Sequence, residues 1–107
     1  MAEEENIAEQ FQFYQQQLQS LVIQKESLRL QNMEIERGLE ELKNAKERNA
    51  YKITGNIMIS KPVEEIKKEL EETKESIGVN IKSLEKTEER IRSKLNELKE
   101  KLKSAGE

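Results

Sequence analysis

One periodicity governs what this chain can become. From Ile7 onward, positions 7, 11, 14, 18, 21, 25, 28, 32, 35, 39 and 42 alternate spacings of four and three without a break. They read Ile7, Phe11, Tyr14, Leu18, Leu21, Lys25, Leu28, Asn32, Ile35, Leu39 and Leu42, nine of the eleven apolar. Two helices stay in register along a common seam only if their apolar repeat averages 3.5 residues, so this pattern predicts a coiled coil rather than a globular amphipathic helix. A first helix is expected over residues 6–48. Asn6 can cap its start, with Glu9 reaching back as in a capping box. Lys46 and Arg48 suit its negative end, and Asn49 tolerates the left-handed conformation that stops a helix.

A second seam runs through Val63, Ile66, Leu70, Thr73, Ile77, Ile81, Leu84, Glu88, Ile91, Leu95, Leu98 and Leu102, which places a second helix over 62–104. The step from Ile77 to Ile81 is a four where a three is due. Such a stutter unwinds the supercoil locally, and Gly78 beside it marks the expected weak point. Pro62 fits a first helical turn, where its missing N–H costs nothing, and Glu64 and Glu65 match the positive end of the dipole. If the helices fold back on one another, seam residues pair with an index sum of 109: 11 with 98, 18 with 91, 28 with 81, 39 with 70. At about 1.5 Å per residue each arm is then ~60 Å long.

The bend falls between residues 54 and 55, where the sequence changes to Tyr51-Lys52-Ile53-Thr54-Gly55-Asn56-Ile57-Met58-Ile59-Ser60. β-Branched residues on both sides of Gly-Asn predict a hairpin over 51–60. Glycine in first place suits a type II′ turn, with Thr54 opposite Ile57, Ile53 opposite Met58 and Lys52 opposite Ile59. Isolated two-stranded hairpins are marginal in water and expose two edges. The expected remedy is pairing with other subunits in a larger sheet or closed barrel; the alternative is a hairpin that only caps the coil.

Composition excludes much else. Of the 107 residues 34% are hydrophobic, 4% aromatic and 38% charged, too little apolar material for a compact globule. Charge is nearly balanced along each helix, so no basic patch points to nucleic acid. With neither cysteine nor histidine there is no disulfide framework, no thiolate metal site and no usual general base. No phosphate loop or nucleophile–base pair is present, so the sequence predicts neither an enzyme nor a cofactor. The acidic Met1-Ala2-Glu3-Glu4-Glu5 differs from a basic secretory signal and no run is long enough for a bilayer, so the expectation is a cytoplasmic protein.

Against this charge, residues 10–24 carry no charged side chain. Phe13, Val22 and Ile23, then Leu30 and Met33, lie off the seam, whereas the second helix keeps its off-seam positions almost wholly polar. An uncharged, apolar face beside a coil end marks a surface for partners of varied charge, the alternative being core plus solvated glutamine. Lys25 and Asn32 interrupt the first seam and Glu88 the second. Lys25 faces Leu84 and lies one layer from Glu88, which allows an ion pair, and the three are read as residues that fix register.

Three stretches resemble a known family: Tyr14-Gln15-Gln16-Gln17-Leu18-Gln19 followed by Gln24-Lys25; Glu34-Ile35-Glu36 leading into Leu39-Glu40-Glu41-Leu42; and Tyr51-Lys52-Ile53-Thr54-Gly55-Asn56-Ile57-Met58-Ile59. The chain resembles the beta class of archaeal prefoldin subunits, with Met58 where leucine is more usual. One hairpin, where the alpha class has two, assigns the class. The resemblance implies a hexamer of two alpha-class and four beta-class subunits whose hairpins form β-barrels, and whose coil tips hold unfolded proteins without nucleotide and pass them to a group II chaperonin. It also implies residue roles. Tyr51, Ile53, Thr54, Gly55, Asn56, Ile57, Met58 and Ile59 would assemble subunits, and Ile7, Phe11, Phe13, Tyr14, Leu18, Leu98 and Leu102 would meet clients. A rival reading is a tethering coiled coil that binds one specific protein.

Overall fold

The computed structural model describes residues 2–105; Met1, Gly106 and Glu107, the ends of the single domain expected over 1–107, lie outside the described residues. Four elements follow in order: helix α1 (Ala2–Asn44), strand β1 (Asn49–Thr54), strand β2 (Ile57–Pro62) and helix α2 (Val63–Ala105). The fold is a long antiparallel two-helix coiled coil with one hairpin between the helices. Contacts group the chain into two compact units, one joining residues up to Ser27 with those from Ile81 onward, the other comprising Leu28–Asn80. In the second unit Glu36 meets Lys74 at 3.2 Å, and Leu70 lies beside Gly38, so index rises on one helix as it falls on the other.

All eleven α1 seam positions are half-buried, and so are Val22 and Gly38. None is fully buried, because a seam between only two helices leaves its flanks in water. Among the described residues the buried apolar side chains all come from α2: Val63, Ile66, Ile77, Ile91 and Leu98.

Several expected boundaries are corrected. α1 begins at Ala2 rather than residue 6, so Asn6 is interior and caps nothing. Glu3, Glu4 and Glu5 occupy its first turn, where carboxylates meet the positive end of the dipole, and nothing there breaks a helix. It ends at Asn44 rather than 48: the Ala45 N–H turns back to the Leu42 carbonyl at 3.3 Å, and Lys46 and Arg48 fall in the connection. Asn49 opens β1 opposite Pro62 and no described non-glycine residue has a positive φ, so it is not a left-handed stop. Pro62 ends β2, and the Val63 N–H that begins α2 donates to the Arg48 carbonyl at 2.7 Å.

The second seam is corrected at one position. Thr73 is exposed and its hydroxyl donates to the Glu69 carbonyl at 3.0 Å. Lys74 is half-buried instead, with its ammonium on Glu36. The two successive fours therefore fall at 66, 70 and 74, and α2 runs unbroken through Gly78.

Candidate functional surfaces

The hairpin has the expected register, with Thr54 opposite Ile57, Ile53 opposite Met58 and Lys52 opposite Ile59, and extends at both ends to Asn49 opposite Pro62. Gly55 has φ of 61° while Asn56 keeps a negative φ, the signature of a type II′ turn. Any Cβ at Gly55 would meet open space, so strain in φ alone selects glycine there.

Pairing also settles the two faces of the ribbon, since side chains alternate along each strand. Ala50, Lys52, Thr54, Ile57, Ile59 and Lys61 share one face. That face looks toward α2: Lys52 and Lys61 donate to the two oxygens of Glu69 at 3.1 and 2.9 Å. Hydrogen bonds from Lys61 and then Lys52 hold the Glu69 carboxyl below its ordinary value, and the bond to Glu69 raises Lys61. Tyr51, Ile53 and Met58 stand on the opposite face. Ile53 is 69% exposed, and Tyr51, Ile57, Met58 and Ile59 are exposed as well. Among the described residues the sheet contains only these two strands, so each keeps a free edge. The node at Glu69 is invisible to sequence reasoning, since it lies eight residues from Lys61 and 17 from Lys52 with no repeat connecting them.

In the unit that joins the two chain ends, the expected client residues divide. Phe13 is exposed and meets the Tyr14 ring edge-on, with centroids 5.6 Å apart. Ile7, Phe11, Tyr14, Leu18 and Leu102 are half-buried seam residues with only part of each side chain open. Leu98 is 1% exposed, the most enclosed side chain described, so it has no surface to offer a client. Seam periodicity could have foretold this. Ile23 is 70% exposed and adds to the open apolar surface, while Val22 is half-buried beside the seam.

The expected ion pair forms: Lys25 Nζ lies 2.7 Å from Glu88 Oε2, with 14% and 12% of the two side chains exposed. Arg92 donates to the other oxygen of Glu88 from Nε at 3.3 Å and Nη2 at 2.9 Å. Bonds from Lys25 first, then Arg92, hold the Glu88 carboxyl below its ordinary value. In the other unit, Asn32 Oδ1 is enclosed and accepts no hydrogen bond from a described residue. Leu30 and Met33 of α1 are exposed there, as expected. Val79 of α2 is exposed too, a large apolar residue off a seam whose other off-seam positions are almost all polar. Among the described residues no cluster of carboxylates could hold a metal, and no helix is long and apolar enough to cross a membrane.

With this geometry in hand, likeness to known proteins is informative. Residues 5–106 match the family described as prefoldin subunit. The prefoldin subunit beta of Archaeoglobus fulgidus is 35% identical over 101 residues, spanning 94% of this chain and 87% of that one. That of Methanocella arvoryzae is 44% identical over 71 residues, 65% of this chain and 56% of the relative. The crystal structure of the prefoldin beta subunit from Thermococcus strain KS-1 superposes with a TM-score of 0.89 at 29% identity, covering 98% of this chain and 93% of that chain.

Proposed function

Since the chain belongs to the prefoldin subunit family and is thus a chaperone subunit that assembles with other prefoldin subunits, we propose that it holds non-native polypeptides without nucleotide and delivers them to a group II chaperonin. The observation that carries this reading is the uncharged stretch of α1 from residue 10 to 24, where Phe13 and Ile23 stand open to solvent. A stretch without charge imposes no sign of its own on what it binds, and apolar side chains with glutamines accommodate many sequences. Holding of this kind draws on burial of apolar surface and needs no reaction. The proposed setting is the archaeal cytoplasm, in a hetero-hexamer with an alpha-class subunit and further beta-class copies joined through residues 51–59. The exposed Tyr51, Ile53 and Met58 face, together with two free strand edges, supports that role for the hairpin.

The test is suppression of aggregation of several unrelated denatured proteins by the assembled complex, without ATP. Phe13→Ser removes an exposed ring at a position off the seam, and should weaken client affinity by about ten-fold while assembly persists. Suppression confined to a single protein would favour the tethering reading. Suppression unchanged by Phe13→Ser would remove this surface from the mechanism.

A further inference from the structure

Leu18 and Val22, one turn apart on α1, join Ile23 and Gln19 along an open groove that Arg92 of α2 lines from the other helix. All five residues belong to one compact unit. The wall is apolar, Ile23 keeps most of its surface uncovered, and the one charged group on the groove is a guanidinium.

That guanidinium is ion-paired with Glu88 but only partly engaged. Arg92 uses Nε and Nη2 on Glu88, which leaves Nη1 without a partner among the described residues. Glu88 is also bound by Lys25, so two cations share one carboxylate and the triad keeps one unbalanced positive charge. No carboxylate offsets it from the facing stretch of α1, since residues 10–24 are uncharged.

We infer that this groove takes an apolar side chain of a non-native polypeptide whose neighbour in sequence is aspartate or glutamate. The apolar group covers Leu18, Val22 and Ile23, and the carboxylate meets Arg92 Nη1. The inference rests on the holding function proposed above and adds a preference to it. The net charge of the chain is −3, so its general field opposes an acidic ligand. A preference for one therefore has to originate at a local cation.

Two dye-labelled peptides with the same apolar core, one flanked by glutamates and one by lysines, test this by fluorescence anisotropy with the full chain. The glutamate peptide should bind about three-fold tighter at low salt. Arg92→Gln should equalise the two, and Ile23→Ser should weaken both by about five-fold. Arg92 has 57% of its side chain exposed and Ile23 is more open still, so neither change threatens the coil, and circular dichroism verifies that. Equal binding to the unaltered chain, a preference that survives Arg92→Gln, or indifference to Ile23→Ser overturns the inference while the holding function stands. Failure of either peptide to bind, joined with failure to suppress aggregation, overturns both.

Discussion

At the scale of the residue, this coil has two positions where the side chain present is not the one that stability would choose. Asn32 occupies a seam site with its amide oxygen enclosed and unpartnered, and an enclosed acceptor without a donor forfeits its hydration. Asn32→Leu should raise unfolding stability by about 1–2 kcal/mol in urea titration, at the cost of register specificity, as single polar seam residues do elsewhere. Gly78 sits inside α2, where an added Cβ would meet open space; Gly78→Ala should stabilise by about 1 kcal/mol in the same titration. A loss of stability in either variant would show that the coil relaxes around these residues differently from what their surroundings indicate. Both were conspicuous in the sequence as departures from pattern. Their consequences needed the structure, because an acceptor is unsatisfied only relative to its neighbours.

The hairpin, as an element, is the part most fully legible beforehand. A Gly-Asn pair between β-branched residues fixes turn type and register together, since a slip of one residue would exchange the two faces. Which face looks at the coil was not legible, because it depends on Glu69 reaching both lysines across the chain. The start of α1 was missed for a related reason: a cap at Asn6 was plausible locally, but Glu3 to Glu5 carry the helix four residues further. The Glu69 tie also makes a pH prediction. Its carboxyl is held below the ordinary 4.5, so the tie is fully present above that value and is lost as pH falls through the lower folded one. Lys61 is raised above 10.5, so its share persists below that value and is lost as pH rises through the higher folded one. Amide exchange in Tyr51–Ser60, corrected for intrinsic rates, should quicken in acid for the unaltered chain, and Glu69→Gln should already be fast at neutral pH. Identical exchange in the two proteins would mean that the hairpin is held by its backbone connections alone.

For the molecule as a whole, the proposed hexamer gives the most direct measurement. Light scattering on this chain mixed with an alpha-class subunit should report a stable mixed hexamer, and Ile53→Lys should abolish it while leaving helix content unchanged. A hexamer that tolerates a charge at residue 53 would remove the Tyr51, Ile53 and Met58 face from the interface. Fold and family were legible over nearly the full length because heptads and a hairpin leave strong periodic traces. The division of the client residues follows from the same periodicity and not from residue type, since Leu98 lies on the seam and Phe13 off it. The exposure of Tyr51, Ile53 and Met58 has a consequence for how such a subunit can change. Side chains that touch little of their own chain answer mainly to whatever docks on them. The hairpin can therefore drift, or be grafted from a relative, and redirect which chains associate while the helices remain as they are, so that new pairings arise without passing through an unfolded ancestor.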